Sequence, residues 1–191
     1  MKIPVLYFIF LIFQPHLCSQ GTFISMGNGI SNISSNFINR YSKSYNFSLK
    51  AGYDKNFTKM GIRASLGYFN LNSKIIEKNR NLNISFVKLS LGLYYQIASS
   101  WNFFSQFNIG KTTKKNIRIS SPRFNYDFDP IDLSYSFELN KRMKFKCTSC
   151  LSIGLEFSKS FDGIIDDNFW QKDNLKPYYL NINIYYHLQN K

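Results

Sequence analysis

The run SFVKLSLGLYYQIASSWNFFSQFNIG, residues 85–110, decides the fold. Val87, Leu89, Leu91, Leu93, Tyr95 and Ile97 fall on one face of an extended strand, and Phe86, Lys88, Ser90, Gly92, Tyr94 and Gln96 fall on the other. Side chains of a strand alternate between its two faces, so one face is almost wholly apolar and the other mostly polar. After Ala98, Ser99 and Ser100 the alternation restarts, with Trp101, Phe103, Phe107 and Ile109 against Asn102, Gln106, Asn108 and Gly110. Two such runs around a three-residue joint spell a hairpin. Each run matches the ~9–11 tilted residues with which a β-strand crosses a bilayer.

The same unit recurs to either side. Strands are expected over 22–33, 44–54, 57–70, 131–139, 145–158 and 178–188. With the central pair they make eight, and no helical periodicity competes. Short joints at 54–56, 98–100 and 140–144 alternate with longer polar connections, among them 71–82 and 111–130. Strict alternation of long and short makes every neighbour antiparallel and gathers the long connections at one end. The expected fold is an all-β, eight-stranded antiparallel up-and-down transmembrane β-barrel.

Composition sets the compartment. Lys2 precedes an apolar core from Ile3 to Phe13, and polar and small residues follow from Gln14 to Gly21. This is the order of a secretory signal peptide, with a core too short to span a membrane as a helix. The reading is a signal peptide at 1–19 and a barrel domain at 20–191, with cleavage after Ser19 or after Gln20. Mean hydropathy is −0.25, which does not suit a helical membrane protein. The net charge of +13 favours an anionic partner, and export argues against nucleic acid.

The polar face identifies the inside. It is built of Ser, Gly and Asn, with charges of both signs at Lys50, Arg63, Lys88, Asp132, Glu138, Lys146 and Glu156. Small uncharged residues suit a crowded lumen, and mixed charges suit an ion-pair network within it, because eight strands leave room only for side chains. Glu138 and Lys146 are expected to face each other across the 140–144 joint. On the apolar face Tyr45, Tyr53, Tyr68, Tyr95, Trp101, Tyr178 and Tyr186 fall near strand ends, as girdle aromatics do.

With signal peptide, amphipathic strands and alternating loops in place, the chain resembles the small eight-stranded outer-membrane proteins of the OmpA and OmpX type. The resemblance implies that termini and short turns face the periplasm and that long loops face outward.

Chemistry is sparse. His187 is the one histidine after the signal segment, and it sits at a strand end rather than beside a nucleophile at the outer rim. Asp162, Asp166 and Asp167 lack calcium-loop spacing. Cys147 and Cys150 form a C-x-x-C inside an expected strand, without a second pair to complete a zinc site. No enzyme activity, metal or cofactor is expected. The leading role is structural or surface interaction by a monomer that contacts outer-membrane lipid, lipopolysaccharide phosphates through Lys114, Lys115, Arg118 and Arg123, and extracellular protein or surface ligands. A narrow channel or small-ligand transport barrel is the second reading, and a soluble periplasmic lipocalin-like binder the third.

Overall fold

In the computed structural model of the chain the described residues are 21–34, 41–75, 80–117, 127–128, 131–144, 150–161, 165–166 and 176–189. The expected signal segment, Lys146, Cys147, Arg118, Arg123, Asp162 and Asp167 lie outside them.

Eight strands close on themselves: β1 (Gly21–Ser34), β2 (Ser44–Phe57), β3 (Met60–Ile75), β4 (Arg80–Ala98), β5 (Trp101–Ile117), β6 (Ile131–Lys144), β7 (Cys150–Ser160) and β8 (Lys176–Gln189). Each pairs antiparallel with its sequence neighbours, and β1 closes the ring on β8. Two residues, Tyr41 and Ser42, extend the β3 edge, and Asp127–Phe128 pairs with Ile165–Asp166 apart from the barrel.

The register fixes the barrel's proportions. Partners followed once round from Thr22 run through Tyr53, Ala64, Leu91, Phe107, Tyr135, Lys159 and Tyr178, and return to β1 at Asn32, ten residues along. A stagger of that size tilts the strands by roughly 35–45° and leaves an interior that side chains alone can fill.

The two faces divide as the alternation requires, with the apolar one outward. Among the described residues thirty-two large hydrophobic side chains are exposed, Leu91, Leu93, Ile182 and Ile184 among them, whereas ten are buried. A water-soluble barrel has the reverse arrangement. Of the expected girdle residues Tyr45, Tyr68, Tyr95, Trp101 and Tyr186 are exposed and Tyr178 is half-buried; Tyr53 is packed down to 7% exposure.

Several boundaries differ from the sequence expectation. The first reversal is Thr58–Lys59, not 54–56, and Thr58 carries it with a φ of 55°. The expected joint at 140–144 is strand instead, because β6 keeps pairing as far as Lys144 opposite Cys150. Glu138 therefore lies across from Glu156, not Lys146. The expected polar loop at 71–82 is mostly strand, since β3 and β4 pair from Met60–Tyr95 up to Ile75–Arg80. Lys114 and Lys115 likewise belong to β5, opposite Ser85 and Ile84, rather than to a loop.

Extending β3 and β4 to 16 and 19 residues carries them beyond the ~9–11 that a membrane crossing requires. Past Tyr68 and Val87 the faces exchange character. Phe69, Leu71, Ile84 and Phe86 become the buried side. On the other side Tyr68 Oη donates to Ser85 Oγ (2.8 Å), and Asn70 Nδ2 donates to Asn83 Oδ1 (3.1 Å) and Ser85 Oγ (3.2 Å). Polar pairing outside and apolar packing inside is the pattern of a wall that has left hydrocarbon for water. A register shift between Ser85 and Phe86 marks the change, and Thr113 Oγ1 donates to the Ser85 carbonyl there.

The belt predicts a position-dependent cost. Leu91→Arg should destabilise the bilayer-refolded protein by about 2–4 kcal/mol, measured by urea unfolding. Asn83→Arg, beyond the belt, should change stability little.

Candidate functional site

The candidate site is the lumen itself, because the strand pleat aims every second residue there. Its walls are Ser25, Ser31, Asn46, Ser48, Ser90, Asn108, Ser134, Ser136, Ser158, Asn181 and Asn183, all buried. Among the described residues, seven buried charged groups stand between these small side chains: Lys50, Asp54, Arg63, Lys88, Asp132, Glu138 and Glu156. A buried charge costs several kcal/mol unless it is paired and hydrogen-bonded, so the partners decide the packing.

Arg63 occupies the level nearest the short turns. Its Nε and Nη2 donate to the two Asp54 oxygens at 2.7 and 2.8 Å, a fork-on-fork pair. Nη1 lies 3.7 Å from Glu138 Oε1. The guanidinium plane is sandwiched by rings, 3.7 Å from the Phe104 centroid, 4.5 Å from Phe23 and 4.8 Å from Tyr185. These contacts use Arg's flat, weakly hydrated charge, which a lysine ammonium cannot imitate.

The middle level joins the two glutamates that the β6–β7 register sets opposite each other. Lys50 Nζ meets Glu156 Oε2 at 2.5 Å, and Asn183 Nδ2 donates to the same oxygen at 2.7 Å. Glu138 accepts from Asn140 Nδ2 at 3.0 Å and from the Tyr185 hydroxyl. Gly154 makes room for this cluster: a Cβ there would stand 2.8 Å from Glu138 Cδ.

The level nearest the long connections holds Lys88. Its Nζ lies 2.5 Å from Asp132 Oδ2 and donates to Ser134 Oγ at 3.2 Å, while Ser160 and Ser134 hydroxyls donate to the Asp132 carboxylate. The Phe86, Phe69 and Tyr179 rings stand 5.1, 5.4 and 5.7 Å from the same ammonium. Above them Leu71 and Ile84 continue the apolar filling.

Six of the residues expected in the lumen are thus buried there: Lys50, Arg63, Lys88, Asp132, Glu138 and Glu156. Asp54 is the member that the sequence reading missed, because its place beside Lys55 and Asn56 mimics a turn. Two residues of one parity, Asp54 and Gly52, would have signalled it. A cavity of about 50 Å³ opens beneath Arg63 at the short-turn end, lined in part by Asp54, Tyr94, Asn140, Arg142 and His187. His187 Nε2 lies 2.8 Å from Ser152 Oγ, and that hydroxyl is fully buried. Among the described residues no His, Cys, Asp and Glu cluster has metal-binding geometry, and no helix is long and apolar enough to cross a membrane. Of the expected basic loop, Lys114 and Lys115 sit on β5.

A closed ring of eight antiparallel strands, apolar outside and ion-paired inside, is the fold of small outer-membrane β-barrels. Solved structures bear this out: Neisserial surface protein A is similar at 9% identity over 88% of this chain and 97% of its own, with a TM-score of 0.53. The Yersinia pestis outer membrane protein Ail in a phospholipid bilayer nanodisc gives 14% identity, coverage of 88% and 99%, and a TM-score of 0.50. The Pseudomonas aeruginosa outer membrane protein OprG gives 12%, coverage of 89% and 97%, and 0.50. No family model and no curated protein sequence matches the chain.

The pairing makes a double-substitution prediction. Lys50→Met alone leaves Glu156 uncompensated and should cost about 3–5 kcal/mol. Adding Glu156→Gln, which keeps an acceptor for Asn183, should recover at least half of that loss in the same unfolding measurement.

Proposed function

We propose that this chain is a non-enzymatic outer-membrane protein, a closed and non-conducting shaft that displays its long-connection end for surface interaction. The observation that carries the reading is the coincidence of an apolar exterior with a lumen filled by paired charges. The first matches a hydrocarbon surround, where only closed barrels and helices satisfy their backbone groups. The second is the arrangement of a plugged interior: Arg63, the Glu138–Tyr185 pair, Lys50–Glu156 and Lys88–Asp132 stand at successive levels of the lumen.

The same packing speaks against catalysis. Ser152 and His187 are hydrogen-bonded like a nucleophile and its base, but the Ser152 hydroxyl lies within the wall of the lumen, with no exposed surface for a substrate. Their arrangement serves as polar packing between β7 and β8. In the proposed orientation the N-terminal segment was removed on export, and termini and short turns face the periplasm. The long connections then face outward, and Lys114, Lys115, Arg118 and Arg123, with the exposed Lys111 and Lys159, offer cations to lipopolysaccharide phosphates and extracellular partners. Conduit function is the second reading, and the cavity beneath Arg63 is the feature that favours it, although that cavity ends at the Arg63–Asp54 pair.

Planar bilayer recording separates the two. The refolded protein should show no discrete current steps, and Arg63→Ser, which shortens the plug, should raise conductance above that background. Regular open-channel steps from the unsubstituted protein would reject the closed shaft. Recovery in the aqueous periplasmic fraction without detergent would reject the membrane reading altogether.

A further inference from the structure

We infer that the short-turn rim of the barrel is a collar that selects anionic phospholipid headgroups; this rests on the membrane reading above. Lys55 and Lys59 stand at the β2–β3 reversal, and Lys141 and Arg142 at the end of β6, all at least partly exposed. Register places these positions at one end: Lys55 opposes Ile62, Lys141 opposes Trp101, and the Arg142 amide bonds to the Ser100 carbonyl.

Carboxylates are wanting there. Among the described residues at this end the acid is Asp54, buried and held in the fork of Arg63. The sequence has no Asp or Glu over residues 55–76 or 139–155. The other connecting stretches of the sequence are mixed in charge, with Glu77, Asp127, Asp129, Asp162, Asp166, Asp167 and Asp173 among lysines and arginines.

Placement distinguishes a lipid from a protein partner. Lys141 Nζ lies 5.4 Å from the Trp101 ring and Lys55 Nζ 5.5 Å from the Phe57 ring. Both rings are exposed, as are Met60 and Ile97 beside them. The ammonium groups therefore sit at the lower margin of the apolar belt, the depth at which lipid phosphates lie and at which long basic side chains snorkel. They are spread along the perimeter from β2 to β6 rather than gathered into one facing patch. Lipids can queue along such an arc, whereas a single docked protein needs a continuous surface. The choice between lipids follows from the missing carboxylates. A phosphate meets a lysine on either a zwitterionic or an anionic lipid, but the choline or ethanolamine cation of a zwitterionic headgroup finds no acid at this rim. A net negative headgroup avoids that mismatch.

Trp101 is a reporter built into the collar. Of the two tryptophans, Trp170→Phe leaves Trp101 as the sole emitter. Folded W170F protein in vesicles of phosphatidylcholine mixed with brominated phosphatidylglycerol, or with brominated phosphatidylcholine as reference, reports the lipid occupying sites beside that ring. Quenching should show about a three-fold preference for phosphatidylglycerol at low salt, falling toward one at high salt as screening grows. Adding K55Q, K59Q and K141Q should abolish the preference. Adding K43Q, K111Q and K159Q, at the other end, should leave it. Heat-modifiable gel migration confirms that each variant is folded. Quenching that follows mole fraction alone, or a preference that survives loss of the three rim lysines, overturns the collar while the barrel stands inserted. Failure of the folded protein to enter either vesicle, with Trp101 unquenched throughout, overturns the membrane reading itself.

Discussion

The structure depends on one constraint: a ring of eight strands encloses too little space for water to solvate the charges it contains. Arg63 shows the consequence. It is 1% exposed, hydrogen-bonded to Asp54, packed against three aromatic rings and 3.7 Å from Glu138 Oε1. Each of the other cations, Lys50 and Lys88, is likewise bound to a carboxylate from a strand across the lumen. These pairs link β2 to β7, β3 to β6 and β4 to β6, so the interior cross-ties the wall that backbone pairing forms. Breaking one leaves an isolated charge in a dry medium, which is why removal of a partner costs more than replacement of the pair.

The exterior answers the same constraint in reverse. Backbone pairing runs from strand to strand around the ring, and the side chains facing out are apolar over the middle of the wall. Where β3 and β4 rise past Tyr68 and Val87 the division turns over, with the half-buried Asn70 and Asn83 bonded on the outer face over a covered Ser85 and Leu71 and Ile84 packed inside. The solvent on each side of the wall thus sets which parity is apolar. The short-turn rim shows a third regime, in which cations rest on exposed rings at the edge of the belt.

Most strands were legible because alternation over ten or so residues is hard to produce by any other local structure. Val87 to Ile97 and Tyr178 to Leu188 are unambiguous in this respect. Ends were less legible. Asp54-Lys55-Asn56 has the composition of a turn, yet pairing with Arg63, Ile62 and Gly61 keeps it in β2, and the chain reverses at Thr58 and Lys59 instead. Pairing across the lumen and along the sheet outweighed local propensity there. The same holds at 140–144, where Lys141 and Arg142 look like a basic turn but remain strand against β7. That error displaced the expected Glu138 partner from Glu156 to Lys146. The polar residues of 71–82 looked like loop because alternation inverts there rather than ends.

Sequence alone determined the number of strands, their antiparallel order and which residues share a face, because period-two patterning depends only on neighbours along the chain. It also marked most of the charged lumen residues, since a charge within an otherwise Ser/Gly/Asn face has few other places to go. Tertiary structure decided who pairs with whom. The ten-residue stagger brings Lys50 to Glu156 across 106 residues of chain, and Lys88 to Asp132 across a much shorter stretch. No local pattern encodes that stagger; it follows from closing a twisted, tilted sheet on itself and filling the narrow space left inside.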